Sequence, residues 1–317
     1  MAGISVLVLL GLLAACVVVV VLLLQFLARA SLGVGGDDPL LREGLGQVRR
    51  RFGGCLVAAL LIMIGGVVLN GLLPGWLGIP LTLAPGLAAS VALLGFAVWP
   101  TAPQVGAGSA SASLIRRSAW SFGSRRLFAV PATVAAVYLG ALATAAVVAS
   151  PDDAGLMRAF AQTQGNLSSS ATPFPGSFYG LPLAAMTIVV VVSAYAALRR
   201  MASSASILPS ATEDLLRIDQ QWRRIVTSII VRISAAALLG YLGVTLVYAG
   251  SAMHRASDFT VNGGSATSWS AVGWVAAIAG LISVLATAVL SGAAIAAVLS
   301  LRDQAVRPSG VPVGQSR

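Results

Sequence analysis

Four side chains of this chain could together hold a metal ion or carry out acid–base chemistry. Asp152 and Asp153 are adjacent, and His254, the only histidine, is followed by Asp258. Carboxylates and imidazoles are common metal ligands. A site made from all four would need two separate loops to meet, and neighbouring side chains on a helix do not face each other. We therefore favour the alternative, in which Asp152 and Asp153 form a solvated cap.

Other catalytic chemistries are excluded by residue types and motifs that the chain lacks. It has no lysine, which rules out a serine–lysine dyad and a retinal Schiff base. It contains no His-Glu-x-x-His motif and no Gly-rich phosphate loop after a strand. Hydrolysis requires a nucleophile with its base, or a metal. We predict that the protein is not an enzyme and carries no cofactor.

Arg232 is the one ionisable residue inside an apolar run. It follows Arg224 by eight residues, which is about 12 Å along a helix. Two interpretations stay open: the side chain snorkels to the nearer membrane face, or it faces an anionic substrate or headgroup. No apolar run contains an aspartate or glutamate, and proton coupling usually needs one. A proton antiporter is therefore disfavoured.

Two features of the apolar runs concern helix shape and packing. Pro85, followed by Gly86, interrupts one run, and proline removes a helical hydrogen bond. In transporters such breaks mark substrate pathways, although proline also occurs in ordinary spans.

Near the C-terminus, small residues recur at helical spacing, which favours close helix packing, within the bundle or against another copy. They are Ser283, Thr287 and Ser291, with Ala288, Gly292 and Ala296 beside them.

Composition indicates a membrane protein. Hydrophobic residues make up 57% of the chain and charged residues only 9%, whereas soluble domains carry about a quarter charged residues. Helices are expected because every backbone polar group in a bilayer must be satisfied internally. We predict an all-α polytopic bundle of about seven transmembrane helices in one membrane domain, with a flexible tail at residues 302–317; the spans are residues 4–28, 55–73, 79–99, 127–149, 181–198, 225–250 and 271–301.

The arginines predict how the spans are oriented. All 20 basic residues are arginines, and only Arg158 and Arg255 lie on one set of connections. Positive residues concentrate on the cytoplasmic side. The N-terminus is therefore expected outside and the C-terminus inside. The cytoplasmic set is Arg29, Arg42, Arg49, Arg50, Arg51, Arg116, Arg117, Arg125, Arg126, Arg199, Arg200, Arg217, Arg223, Arg224, Arg302, Arg307 and Arg317.

Two arginine-rich connections carry helix signals. Pro39 follows Asp38, as at the first position of a helix, and Ser210 followed by Glu213 is a capping-box pattern. We predict short amphipathic cytoplasmic helices that lie on the membrane surface with arginines among anionic headgroups. They would serve as membrane anchors or as a docking surface for a cytoplasmic partner.

The two cysteines carry no disulfide or metal signal. Cys16 ends a Leu-Ala-Ala-Cys sequence typical of lipoprotein cleavage, and Cys55 begins a different apolar run. A signal peptide has a positive n-region, but residues 1–15 contain no charge. An uncleaved first span is therefore the favoured interpretation, with a lipidated Cys16 as the alternative.

Three short motifs carry a resemblance. They are the arginine-rich segment at residues 113–117, the Asp-Asp-x-Gly at residues 152–155, and the Phe-Pro-Gly-x-Phe-Tyr-Gly-x-Pro at residues 174–182. Together they resemble an uncharacterised family of multi-span integral membrane proteins of high-GC Gram-positive bacteria. The resemblance implies a multi-pass protein of the bacterial plasma membrane and no assigned activity.

Two functions remain open. The first is a permease-like or accessory subunit of a membrane transport system, partnered by an ATPase or another membrane subunit. The alternative is an envelope sensor or regulatory protein that signals through its cytoplasmic helices. The net charge of +10 does not indicate nucleic acid binding, because the charges border apolar runs and no nucleic-acid motif is present. The sequence does not predict an oligomeric state.

Overall fold

Helices dominate the described part of the chain. The computed structural model describes residues 39–98, 125–164, 166–203, 213–257 and 268–306. Within these ranges the helices are α1 (Pro39–Leu72), α2 (Ile79–Val98), α3 (Arg125–Val148), α4 (Ser177–Ser203), α5 (Glu213–Ser257) and α6 (Ser268–Val306), with a single 3-10 turn (Pro74–Trp76) between α1 and α2.

Five described helices are long and apolar enough to cross a membrane. The stretches are Gly53–Leu72, Arg125–Val148, Ser177–Ser203, Arg223–Ser257 and Ser268–Ala294. A sixth apolar stretch, Ile79–Gly95 in α2, is shorter. The prediction of a helical membrane protein is thus confirmed at this level. The predicted first span, residues 4–28, lies outside the described residues, as does the tail from residue 307.

The arginine-rich segments before two spans are not separate surface helices. The α1 helix begins at Pro39 and runs unbroken to Leu72, and α5 runs unbroken from Glu213 to Ser257. The 45 residues of α5 correspond to about 67 Å, more than twice the hydrocarbon thickness. The prediction of distinct helices was wrong because nothing between Arg224 and the span interrupts the backbone ladder, and arginine is itself a good helix former.

A small sheet corrects the all-α prediction. Strands β1 (Ser150–Pro151), β2 (Met157–Gln164) and β3 (Leu167–Ala171) pair antiparallel in sequence order. Short strands in a connection rich in serine and threonine give a weak hydropathy signal. We call the end of the bundle that carries these strands the sheet end. The opposite end, where α3 begins and α4 finishes, is the arginine end.

Helix α5 is the centre of the bundle. It packs against α2, α3, α4 and α6, and also against β2 and β3. Its apolar stretch is 61% buried, whereas those of α1 and α6 are each 11% buried. The two outer helices pack mainly on one neighbour each, α1 on α2 and α6 on α5. Most of their apolar surface is therefore left for lipid or another protein.

Glycines bring α5 and α6 into backbone contact. Gly243 lies opposite Gly280, and Gly250 lies opposite Gly273; a Cβ added at Gly250 would lie 2.3 Å from the carbonyl oxygen of Gly273. We call these four residues the glycine seam. Thr287, from the predicted small-residue stripe, joins this interface and donates to the Ala236 carbonyl at 3.2 Å.

Two other residues of the predicted stripe make no packing contact within the described bundle. Ala288 is exposed, and a Cβ added at Gly292 would meet nothing within 4 Å. The side chain of Ala296 lies outside the described part. The four glycines of the seam are spaced by seven residues on each helix.

Candidate functional site

The proline break in α2 is closed by a tyrosine from α5. Pro85 lies inside α2 and has no N–H to donate to the preceding turn. The next N–H, that of Gly86, donates to the hydroxyl of Tyr241 at 2.6 Å. The same hydroxyl donates to the Leu83 carbonyl at 3.1 Å. Tyr241 therefore supplies both an acceptor and a donor next to the proline.

Close approach at this break requires glycine. A Cβ added at position 86 would lie 2.2 Å from the Tyr241 hydroxyl oxygen. The break and the tyrosine thus form one unit, which we call the α2–Tyr241 junction. Sequence analysis found Pro85 but missed Tyr241, because the hydrogen bond joins residues 155 positions apart. A tyrosine in the middle of an apolar run was the available signal.

A second tyrosine extends this junction to α3. The ring of Tyr138 stacks on that of Tyr241 with a centroid distance of 6.0 Å and an interplanar angle of 9°. The Tyr138 hydroxyl shares a hydrogen bond with that of Thr245 at 3.1 Å. Both tyrosines are buried. Buried hydroxyls need partners, and here three helices supply them to one another.

Arg232 contacts the backbone of α6. Its Nη1 donates to the Ala293 carbonyl at 3.0 Å, and the side chain is half-buried. The glycine seam aligns Arg232 with Ser291 across the helix pair. Ala293 lies two residues nearer the arginine end, so the side chain leans in that direction. The guanidinium has further N–H groups beyond the one bound to this neutral carbonyl.

Arg223 does not lie among headgroups as predicted. It is only 3% exposed, and its Nη1 donates to the Met201 carbonyl at 2.7 Å. Met201 lies in the last turn of α4, where carbonyls lack helical partners and cations are favourable. Arg223 therefore caps α4. Exposed arginines do surround this end of the bundle: Arg125, Arg126, Arg199, Arg200 and Arg224.

The two adjacent aspartates have different environments. Asp153 is exposed, in agreement with a solvated position. The side chain of Asp152 is only 7% exposed and pairs with Arg158. Asp152 Oδ1 also accepts the N–H groups of Ala154 at 2.9 Å and Leu156 at 2.8 Å. Asp152 thus organises the turn between β1 and β2, where Gly155 has a φ of +76°.

The ionisation of Asp152 follows from these contacts. Burial alone would raise the pKa of its carboxyl, but hydrogen bonds from Leu156, Arg158 and Ala154, together with the charge of Arg158, lower that pKa below its ordinary value. The Arg158 guanidinium also lies over the ring of Phe178, 6.0 Å from its centroid. These contacts hold Asp152 and Arg158 together at the start of the sheet.

His254 contacts α6. Its Nδ1 is 2.9 Å from the Ser270 hydroxyl, and its ring centroid is 5.1 Å from that of Trp274. The neighbouring Arg255 donates to the Thr172 carbonyl at 2.8 Å. Asp258 lies outside the described residues. No three His, Cys, Asp or Glu residues of the described part are grouped so that they could hold a metal ion.

An aromatic and alanine core joins the sheet to the helices. Phe160 of β2 and Phe174 pack with alanines near the ends of α3 and α5, including Ala252 and Ala256. Trp269 of α6 stands edge-on to Phe160, with 5.5 Å between centroids. The sequence did not predict this core because its residues come from one connection and from the ends of three different helices. The sheet end is therefore packed onto the bundle.

The comparisons with known proteins assign this chain to no family. No family model matches the sequence, no curated protein matches it, and no solved structure matches its fold.

Proposed function

We propose that this protein is a non-catalytic, multi-pass component of a bacterial plasma membrane, acting as a permease-like or accessory subunit of a membrane transport system. The five membrane-length helices support membrane integration, and the family resemblance supports the bacterial plasma membrane. The arginine distribution supports a cytoplasmic arginine end. Anionic headgroups on that side, and an ATPase or another membrane subunit, are the expected partners.

The α2–Tyr241 junction favours an accessory role over direct conduction. In transporters with broken helices, the freed backbone groups bind the substrate or its coupling ion. Here the Tyr241 hydroxyl already occupies the Gly86 N–H and the Leu83 carbonyl. A substrate would have to displace a buried side chain that makes two hydrogen bonds and one ring stack. This observation carries the proposal.

Purification of the tagged full-length chain in mild detergent tests the proposal. We expect an ATPase or another membrane subunit to co-elute in a fixed ratio. The apolar faces of α1 and α6, which the bundle leaves largely uncovered, are the surfaces available to a membrane partner. Recovery of a lone monomer would contradict the accessory role, and substrate transport by that monomer in proteoliposomes would assign conduction to the chain itself.

A sensor is the second candidate, and the connection between the sheet and α5 favours it. The sheet packs against α5, Arg255 binds the Thr172 carbonyl, and α5 continues without a break to Glu213. Displacement of the sheet would therefore reach the other end of the bundle. Arg255→Gln should weaken an envelope-stress response if the chain is a sensor. An accessory subunit with that substitution should keep its partner and its transport.

A further inference from the structure

Arg232 carries a charge that its described surroundings do not neutralise. Its described hydrogen-bond partner is the uncharged Ala293 carbonyl. Among described residues, the carboxylates whose side chains are placed are Asp152 and Asp153, and both lie at the sheet end. A guanidinium inside an apolar span is costly unless an anion or water reaches it. The site therefore calls for an anionic ligand.

The position of Arg232 restricts what that anion can be. Arg232 lies eight residues from the exposed Arg224, or about 12 Å deeper along α5. The side chain leans toward the arginine end, where phospholipid headgroups of that leaflet lie, and it is half-buried rather than enclosed. Local thinning of a bilayer around a buried arginine brings headgroups to such depths.

We infer that Arg232 binds the phosphate of an anionic phospholipid from the leaflet at the arginine end. Guanidinium matches phosphate with two parallel hydrogen bonds, and such pairs are stronger than hydrogen bonds between neutral groups. One N–H group stays on Ala293, which fixes the guanidinium against α6. The exposed arginines at the same end would raise the local concentration of anionic lipid without selecting this site.

Lipid retention by the purified full-length protein tests the inference. Native mass spectrometry would compare protein equilibrated with phosphatidylglycerol, phosphatidylcholine or inorganic phosphate. At about 0.5 M salt, the interactions of exposed charges are screened beyond a few ångströms, whereas those of half-buried charges are screened less. We expect the wild type to retain phosphatidylglycerol over phosphatidylcholine. Absence of that preference in the wild type would overturn the inference without any variant, and equal retention of inorganic phosphate would overturn the assignment to lipid.

Three variants identify the residue responsible. Arg232→Gln removes the charge but keeps an amide donor for Ala293, and it should weaken phosphatidylglycerol retention about tenfold or more. Arg232→Lys keeps a point charge without the planar fork, so an intermediate loss is expected. Arg224→Gln is the matched control, with the same charge change on an exposed residue of the same helix. It should behave as wild type at high salt, and an equal loss in both glutamine variants would contradict a specific site.

Discussion

At the scale of single residues, a tyrosine hydroxyl determines what the proline break can do. Pro85 removes one backbone N–H from α2, and the Tyr241 hydroxyl accepts from the Gly86 N–H and donates to the Leu83 carbonyl beside it. A buried polar group without a partner costs more than an ordinary hydrogen bond contributes. The junction therefore stabilises the proline-containing part of α2 against α5.

Tyr241→Phe should lower the free energy of unfolding by about 1–3 kcal/mol, because it leaves the Gly86 N–H without its acceptor. An unfolding titration of the protein in mixed detergent micelles measures the change. Tyr248→Phe is the control, since Tyr248 lies on the same helix and is 43% exposed. Equal effects of the two substitutions would mean that the junction contributes nothing specific.

Asp152 makes the sheet end sensitive to acid. Its pKa is lowered in the folded state, so its contribution to stability is complete above the ordinary value of 3.8 and is lost as the pH falls through the lowered pKa. We expect the wild-type melting temperature to fall in that window and Asp152→Asn to be less stable at neutral pH. The variant should show a smaller acid-induced decrease, measured by thermal unfolding across pH. Parallel pH profiles would contradict this role.

At the scale of elements, the glycine seam holds α6 to the bundle. A seven-residue spacing is visible in the sequence at Gly243 and Gly250, and again at Gly273 and Gly280. Sequence analysis instead selected residues at four-residue spacing on α6. Spacing alone does not identify the face that meets a partner, because lipid-facing positions of a span are apolar and small residues occur on every side.

Gly250→Ala should weaken the α5–α6 pair, since the added Cβ would lie 2.3 Å from the Gly273 carbonyl oxygen and 2.6 Å from the Ala277 nitrogen. Backbone atoms on α6 cannot rotate away, so a loss of about 1–3 kcal/mol is expected from overpacking. The same micelle titration measures it. Gly292→Ala is the matched control: its Cβ would meet nothing within 4 Å, so it should be neutral or slightly stabilising.

At the scale of the whole molecule, hydropathy predicted more of the fold than of the candidate site. Apolar runs located the described membrane-length helices, because a span needs about 20 apolar residues whatever its neighbours are. The sheet was missed because its strands are short and lie in a connection rich in serine and threonine, which gives a weak hydropathy signal. The Asp152–Arg158 pair was missed because it depends on the turn between β1 and β2. The Tyr241 junction was missed because its hydrogen bonds join residues 155 and 158 positions apart. Pro85, Arg232 and Asp152 could be predicted as candidate functional residues from the sequence, because of their residue types and their positions relative to the apolar runs.

The orientation of the molecule remains a prediction that labelling can test. Asp153 lies at the sheet end and Arg200 at the arginine end, and both are exposed. In a background of Cys16→Ala and Cys55→Ala, Asp153→Cys should react with an impermeant maleimide in intact cells. Arg200→Cys should react only after permeabilisation, because arginine-rich connections stay in the cytoplasm. The reverse labelling pattern would place the sheet end in the cytoplasm and the arginine end outside.

The continuity of α5 limits how this protein can move. Its 45 residues contain no proline, and the Gly250–Ser251 pair, a place where helices can bend, lies close to its sheet end. A push on the strands would therefore tilt or rotate the whole rod, and its far end would sweep an arc in proportion to its length. A helix that moved in this way would convert a small displacement at the sheet end into a larger one at the arginine end.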